Sequence, residues 1–181
     1  MPEVITLLID RIATPIGELV VIADEEARLR AVSWTDREER THRLLRRQYG
    51  GDGFEIRPAR NPGGLARALG DYFAGDLGAI DRLPVEMPGT PFQRSVWAAL
   101  RKIGCGTTIS YGELARRVGR PAAVRAVGLA NQANPVGIVT PCHRVIGYDG
   151  RLTGYGGGIE RKRWLLAHEG VPSVSTSLPL F

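Results

Sequence analysis

The residues best suited to chemistry are adjacent in the chain: Cys142 and His143, within the stretch PCHRV. A cysteine attacks as its thiolate, and an ordinary thiol with a pKa of ~8.5 is only slightly ionised at neutral pH. A neighbouring imidazole can remove the thiol proton, directly or through one water. Pro141 fixes the backbone ahead of the thiol, and glycine-rich stretches at 147–150 and 154–158 allow loops to approach it. The pattern predicts a nucleophilic cysteine on the floor of a pocket.

A carboxylate for the same site is present near the end of the sequence. Glu169 closes a predicted C-terminal helix and can hold the imidazole by a hydrogen bond, which predicts a relay of Cys142, His143 and Glu169. A Cys-His pair also occurs by chance, so the relay needs support from the rest of the chain. We interpret Arg144 as a structural residue that forms an ion pair or binds carbonyl groups. Cys105 is expected to be a small buried residue rather than a second nucleophile.

Positive charge is concentrated in the second half of the chain. Residues 1–90 contain 12 Arg and 15 Asp or Glu, a net charge of −3. Residues 91–170 contain 12 Arg or Lys and four Asp or Glu, a net charge of +8. Basic surfaces attract polyanions, although many of them are merely solvated. The asymmetry therefore favours a nucleic-acid partner for the second half.

Local signals in this half predict short helices. The segment TPFQ at 90–93 combines an N-cap, a proline in the first turn and a capping-box glutamine, and it predicts a helix over 91–103. SYGE at 110–113 repeats the pattern, and GRP at 119–121 ends that helix. A further helix is predicted over about 122–133. Two short helices joined by a glycine-containing turn are typical of a helix-turn-helix, which any packed helical pair can imitate.

The second helix of this pair is predicted to have a smooth outer face. Val124 and Val127 are expected to face the core. The opposite face is expected to carry small residues, namely Ala122, Ala126 and Ala130. Arg125 is then the one large side chain that projects from it, as suits an arginine that probes a narrow groove or an opened base stack. Packing against another helix through the alanines is the alternative interpretation.

The first half is predicted to form a small sheet with helices. Two strands are predicted over 4–12 and 18–23, separated by TPIG at 14–17. Proline has a backbone angle suited to a turn and glycine allows the chain to leave it, so a hairpin is expected. Pro84, Pro88 and Gly89 mark the predicted domain linker. The remaining predicted elements are a strand over 27–34 and helices over 36–49 and 65–73.

Composition limits the class of protein. The 181 residues are 43% hydrophobic and 24% charged, as in ordinary folded domains. No apolar run approaches the ~18 residues of a membrane span, and Asp10 and Arg11 interrupt the first apolar stretch, which argues against a signal peptide. Two cysteines and three histidines without metal-ligand spacing argue against a zinc site. We expect a cytoplasmic protein whose thiols stay reduced.

The second half resembles one family along its whole length. Chain segments similar to that family occur in the same order: FQRSVWAAL, ISYGELA, AAVRAVGLANQANPVGIVTPCHRVIG, LTGYGGG and LLAHEG. From about Thr90 to Gly170 the chain is thus similar to the methylated-DNA–protein-cysteine methyltransferases, alkyltransferases that repair guanine alkylated at its exocyclic oxygen. The first 90 residues resemble the family more weakly, through TPIG and the approach to Tyr72 and Phe73.

The resemblance implies an α+β protein with two domains. A small N-terminal ribonuclease-H-like domain with an antiparallel sheet covers 1–88, and a helical alkyltransferase domain with the helix-turn-helix covers 89–170. The tail at 171–181 falls beyond the resemblance and is expected to be flexible. No cofactor or metal is implied. The implied partners are double-stranded DNA, bound through its minor groove, and the alkylated guanine base, with no membrane. We expect a monomer in solution, and cooperative assembly on DNA stays open.

The resemblance also implies catalytic roles. Cys142 would accept the alkyl group from guanine, or from alkylated thymine, in one irreversible turnover, after the base is flipped from the duplex. His143 would take the thiol proton through water, with Glu169 holding the ring. Tyr111 would donate a hydrogen bond to the leaving base, whose developing charge needs a donor. Asn134 would tie the helix-turn-helix to the active-site loop.

Substrate-binding roles follow from the same resemblance. The backbone at Val145, with the loop at Tyr155 and Gly156, would read the guanine edges. Some relatives have serine in place of Gly156, so a backbone donor remains here without the side-chain contact. Arg125 would fill the vacated stack, and the helix that carries Ala126 would lie in the minor groove.

Two other classes of protein stay open at this point. A helix-turn-helix regulator that uses Cys142 as a redox sensor would bind a specific sequence and be reversibly oxidised. A cysteine hydrolase would need turnover and an oxyanion hole, and the sequence signals neither.

Overall fold

A computed structural model describes residues 3–172 of the chain. The described residues divide into two compact units. One is the chain up to Gly89 together with Pro135–Val139, and the other is Thr90–Asn134 together with the chain from Thr140 onward. The tail predicted over 171–181 lies, from residue 173, outside the described residues. Within residues 3–172 no helix has the length and apolar character needed to cross a membrane.

The described part of the first unit contains a four-stranded sheet and two α-helices. In chain order these are β1 Ile5–Thr14, β2 Gly17–Asp24, β3 Leu29–Trp34, α1 Glu38–Tyr49, β4 Phe54–Pro58 and α2 Leu65–Phe73. The strand order is β3-β2-β1-β4. The first three strands form the expected antiparallel arrangement. β4 instead pairs parallel with β1, because α1 returns the chain across the sheet before β4 begins.

The core of the first unit surrounds β2. Val20 and Ile22 cluster with Leu45 of α1. α2 also packs against β1 and β2. At the edge strand β3, the Val32 amide donates to the Pro135 carbonyl at 3.0 Å, so the segment at 135–139 covers that edge.

The described part of the second unit is mainly helical. In chain order it contains α3 Pro91–Leu100, β5 Ile109–Ser110, α4 Tyr111–Arg117, α5 Val124–Gln132, β6 Val145–Ile146 and α6 Ile159–His168. The capping box predicted for α3 is present: the Gln93 amide donates to Thr90 Oγ1 at 3.1 Å, and the Thr90 amide donates to Gln93 Oε1 at 3.0 Å. α4 is capped in the same place as predicted, since the Glu113 amide donates to Ser110 Oγ at 3.1 Å.

α4, the following turn and α5 form the predicted helix-turn-helix. Gly119 has a φ of +73°, a conformation that favours glycine, and it ends α4. α5 begins at Val124, two residues later than expected, because Ala123 still belongs to the turn, where its amide donates to the Arg120 carbonyl at 2.9 Å. The pair of helices therefore has a short, well-defined connection.

Candidate active site

The candidate nucleophile lies in a buried 3₁₀ turn, Cys142–Arg144, just before β6. Cys142 keeps 8% of its surface exposed. Its amide donates to the Thr140 carbonyl at 2.8 Å, and the Asn134 side-chain amide donates to the same carbonyl at 2.8 Å. Asn134 thereby links the chain that follows α5 to the chain that carries the thiol.

The carboxylate of Glu169, directly after α6, binds both other residues of this turn. Arg144 donates to it through Nε and Nη2, each at 2.8 Å. His143 Nε2 lies 3.0 Å from both carboxylate oxygens. Arg144 Nη1 also donates to the Ile103 carbonyl at 2.6 Å. Arg144 thus forms both the ion pair and the carbonyl contact expected of a structural residue.

Burial and charge fix the protonation of the histidine. Burial lowers the pKa of His143 although the Glu169 carboxylate raises it, so the ring is neutral at pH 7. Burial alone would raise the pKa of Glu169, but His143 and Arg144 hold that pKa well below its usual range. An ionised carboxylate only accepts hydrogen bonds, so His143 Nε2 carries the ring proton. His143 Nδ1 keeps its lone pair, and this buried atom has no hydrogen-bond partner within residues 3–172.

Lys162 is a polar residue of this site that the sequence analysis missed. Its side chain is fully buried, and Nζ donates to the carbonyls of Val145 at 2.6 Å and Thr153 at 2.7 Å. Burial lowers the pKa of Lys162 to about 8, although negative charge on Cys142 raises it. Because Nζ binds the carbonyl of Val145, three residues after Cys142, the cation lies close to the turn that carries the thiol. A cation beside a thiol favours the thiolate. No local signal distinguishes this lysine within the charged run ERKR at 160–163.

Tyr111, the first residue of α4, lies beside the same turn. Its hydroxyl is 3.4 Å from Thr153 Oγ1, and a methyl group added at Gly128 of α5 would lie 3.9 Å from its ring. Burial raises the pKa of Tyr111, as does negative charge on Cys142, whereas hydrogen bonds from Thr153 and Asn131 lower it. The net shift is upward, so at neutral pH the phenol keeps its proton and is a hydrogen-bond donor near the thiol.

The strand and loop after the turn carry the rest of the predicted base pocket. Val145, fully buried, is the first residue of β6. Tyr155 and Gly156 are half-buried in the loop before α6, where the Gly158 amide donates to the Tyr155 carbonyl at 2.9 Å. Because Lys162 binds carbonyls of both β6 and this loop, it joins the two segments.

The predicted site residues fall into two groups in the structure. The first surrounds the cysteine turn and comprises Cys142, His143, Glu169, Tyr111, Asn134 and Val145, with Tyr155 and Gly156 in the adjoining loop. The second is Arg125 with Ala126, both on the exposed face of α5.

The outer face of α5 differs from the prediction. Ala130 is 3% exposed and belongs to the core, whereas Val124 is 40% exposed. Leu129, with 64% exposure, takes the outer position expected for alanine. The cause is the packing of α3 on α5, because the buried Trp97 donates from Nε1 to the Ala130 carbonyl at 2.9 Å.

Cys105 is exposed, so the prediction of a buried residue is wrong. It lies in the turn between α3 and β5, between Gly104 and Gly106. Gly106 has a φ of +81°, and this tight turn directs the cysteine toward solvent. Neither cysteine forms a disulfide.

Two family models match the chain, one on each unit. The model described as 6-O-methylguanine DNA methyltransferase, ribonuclease-like domain, matches residues 7–87. The model described as 6-O-methylguanine DNA methyltransferase, DNA binding domain, matches residues 91–171. The predicted α+β fold, a ribonuclease-like sheet domain followed by a helical domain, is confirmed. The fold and the two family models together define a DNA-binding methyltransferase.

Individual relatives agree with the family models. The methylated-DNA–protein-cysteine methyltransferase of Salmonella typhimurium is 57% identical over 164 residues, which cover 91% of this chain and 96% of that protein. A crystal structure of Mycobacterium tuberculosis O6-methylguanine methyltransferase has a TM-score of 0.73 at 38% identity, covering 96% of both chains. Mycobacterium tuberculosis OGT in complex with DNA gives 0.73 at 39% identity, covering 95% of this chain and 98% of that one. This chain therefore belongs to the methylated-DNA–protein-cysteine methyltransferase family, and the predicted family and enzyme class are confirmed.

Proposed function

We propose that this protein repairs DNA by transferring an alkyl group from the exocyclic oxygen of alkylated guanine to Sγ of Cys142. One observation carries the proposal. Cys142 adjoins a neutral histidine whose Nε2 is bound to the Glu169 carboxylate and whose Nδ1 has no hydrogen-bond partner among the described residues. A base held in this state accepts the thiol proton, directly or through one water.

The reaction is a single displacement at the alkyl carbon. The thiol proton passes to His143 Nδ1, and the thiolate attacks the carbon in line with the carbon–oxygen bond. A sulfur–carbon bond forms while the carbon–oxygen bond breaks, and its electron pair remains on the guanine oxygen. Tyr111 donates a proton to the leaving base, which restores neutral guanine. The protein neither gains nor loses electrons overall.

The product limits each molecule to one turnover. A thioether has no good leaving group, so water does not regenerate the thiol. This distinguishes the proposed reaction from a cysteine hydrolase, which must release its acyl group. Alkylated thymine presents the same carbon–oxygen bond and is a second substrate on the same grounds.

The reaction requires the base to leave the duplex. Cys142 is almost entirely buried and cannot reach an alkyl group inside a base stack. α5 presents Ala126, Leu129 and Arg125 on one exposed surface, in a region of net charge +8. Ala126 allows the backbone of this helix to approach the minor groove closely, Leu129 offers an apolar contact there, and Arg125 can occupy the space of the flipped base. All the reacting groups belong to one unit of one chain, so a monomer suffices.

The backbone around the turn would recognise the extruded guanine. The Val145 carbonyl has a second lone pair beside the one that Lys162 occupies, and it can accept from the base. Peptide groups of the loop at Tyr155 and Gly156 supply further contacts to the base edge.

Mass spectrometry of the intact protein tests the proposal. After mixing with a duplex containing O-methylguanine, the protein is expected to gain the mass of one methyl group and no more, and tryptic mapping is expected to place it on Cys142. Unmodified duplex serves as the control. A methyl group on Cys105, or repeated turnover by one protein molecule, would overturn the proposal.

Arg125→Ala is expected to slow repair of duplex DNA by about tenfold to a hundredfold, because base flipping costs a few kcal/mol that Arg125 would offset. Transfer from free benzylguanine should be unchanged, since a free base needs no flipping. Single-turnover rates on both substrates provide the measurement. Arg82→Ala, which removes an exposed arginine from the first unit, controls for the loss of one positive charge. Equal losses on both substrates would contradict this role for Arg125.

A further inference from the structure

We propose that Asn131 is a positioning residue for Tyr111, directing the phenolic proton toward the substrate by placing an amide donor against the phenolic oxygen. The inference rests on the proposed function, in which Tyr111 assists the leaving base. Asn131 lies within α5, a helix whose sequence predicts functional roles for Arg125 and Ala126 but none for Asn131.

The helix places Asn131 on the side of α5 that faces Tyr111. Gly128 contacts the Tyr111 ring closely enough that an added methyl group would lie 3.9 Å from Cδ1. Asn131 follows Gly128 by three residues, and residues three apart share one face of a helix. Asn131 is only 4% exposed, so its amide lies in the interior rather than in solvent.

A buried asparagine at this position is costly unless its polar atoms are used. Asn131 Oδ1 is buried without a hydrogen-bond partner among residues 3–172, whereas an apolar side chain would leave no polar atom unsatisfied. The hydrogen bond between the Asn131 side chain and Tyr111 lowers the pKa of the phenol. A hydrogen bond has that effect when it is donated to the phenolic oxygen, because it then stabilises the phenolate. Because Asn131 Oδ1 has no partner among the described residues, Nδ2 is the atom that binds the phenolic oxygen, and an amide N–H donates.

A second donor acts on the same oxygen. The Thr153 hydroxyl donates to Tyr111 at 3.4 Å. A phenolic oxygen has two lone pairs and one proton, so donors from Asn131 and Thr153 leave the proton to point away from both. Tyr111 directly follows β5, which pairs with β6, and β6 directly follows the turn that carries Cys142, so neighbouring segments carry the phenol and the reacting thiol.

The same arrangement assists the transfer itself. Negative charge builds on the phenolic oxygen as Tyr111 gives its proton to the departing guanine. Hydrogen bonds to a charged group are stronger than those to a neutral one. Removing the Asn131 donor is therefore expected to slow alkyl transfer by about tenfold to a hundredfold.

A double-mutant cycle separates this role from simple packing. Asn131→Leu keeps the size of the side chain and removes the donor. It is expected to slow single-turnover transfer from free benzylguanine in the wild-type background, and to have no further effect in a Tyr111→Phe background. In both backgrounds, Asn131→Leu should leave the rate at which a simple thiol reagent labels Cys142 unchanged. Equal slowing by Asn131→Leu in the two backgrounds would overturn the proposal.

A substrate-free measurement distinguishes a failure of this inference from a failure of the proposed function. The pKa of Tyr111, followed by NMR of carbon-labelled tyrosine and assigned with Tyr111→Phe, is expected to rise in Asn131→Leu. Asn131→Asp, which places an acceptor where the donor was, should raise it further. If the wild-type protein transfers no alkyl group, the proposed function fails, yet this titration still tests Asn131. An unchanged pKa in both variants would overturn the proposal.

Discussion

Replacing Cys142 with alanine is expected to abolish alkyl transfer completely while binding to undamaged duplex DNA is retained. The thiol is the acceptor in the proposed reaction, and no other group replaces it at the buried turn. The proposed DNA-binding surface, the exposed face of α5 with Arg125, is a different part of the unit. Intact mass spectrometry after mixing with methylguanine DNA measures the transfer, and fluorescence anisotropy with unmodified duplex measures the binding.

The second cysteine provides a matched control. Cys105 is exposed in a turn whose residues Ile103 and Gly106 lie against Arg144 and Glu169, and Cys105→Ser changes one exposed sulfur atom to oxygen, so this variant should transfer the methyl group at the wild-type rate. Residual methylation of Cys142→Ala at Cys105 would contradict the assignment of the acceptor. Loss of DNA binding in Cys142→Ala, with the circular dichroism spectrum preserved, would contradict the separation of the two surfaces.

Local chemistry made much of the fold predictable. The TPFQ capping box at the start of α3 acts within a few residues of chain, and so does the hairpin turn between β1 and β2. Such signals do not depend on the rest of the structure. They locate the start of α3 correctly, while its end at Leu100 falls three residues before the predicted one.

The face that α5 presents depended on packing between helices. Alanine suits either a core or a surface, so composition did not decide where Ala130 lies. The Trp97 indole donates to the Ala130 carbonyl, and this packing buries Ala130 and leaves Leu129 exposed. Contacts between residues 33 positions apart cannot be read from the period of a single helix.

The polar interior of the site was predictable in part. PCHRV with a distant carboxylate suggested that Cys142, His143 and Glu169 act together, and a structural Arg144 was expected from the same motif. Lys162 was not predicted, because its partners are backbone carbonyls, which every residue has whatever its side chain. The run that contains it has the composition of a solvated surface.

The buried network around Glu169 leads to the second large expected effect. Glu169→Gln should lower the free energy of unfolding by about 3–5 kcal/mol at pH 7, because it removes one member of a buried ion pair and leaves the other charged. Arg144 would keep its positive charge in the interior, with a neutral amide in place of the carboxylate that now binds its Nε and Nη2. Urea unfolding of both proteins at pH 7 measures the difference.

The pH dependence of this stability difference tests whether the Glu169 carboxylate is its source. The folded state holds the pKa of Glu169 below its ordinary value of 4.5, because His143 and Arg144 outweigh the effect of burial. A depressed carboxyl pKa adds stability that is fully present above pH 4.5 and is lost as the pH falls through the folded-state pKa. The difference in free energy of unfolding between the wild type and Glu169→Gln should therefore shrink progressively below pH 4.5. A difference that stays constant from pH 7 to pH 3 would rule out the carboxylate as its source.

Glu113→Gln is the matched control for this substitution. Glu113, like Glu169, binds two basic side chains, here Arg116 and Arg117, but it lies on the surface of α4, where water screens the ion pairs. Its replacement should barely change the urea midpoint.

Thiol reactivity then separates stability from catalysis in Glu169→Gln. Glu169 raises the pKa of His143, so its loss makes the imidazole a weaker base, and the rate of Cys142 labelling should rise only at a higher pH than in the wild type. If the variant is less stable but labels with the wild-type pH profile, Glu169 stabilises the fold without assisting the nucleophile. In that case the base that accepts the Cys142 thiol proton does not depend on the Glu169 carboxylate.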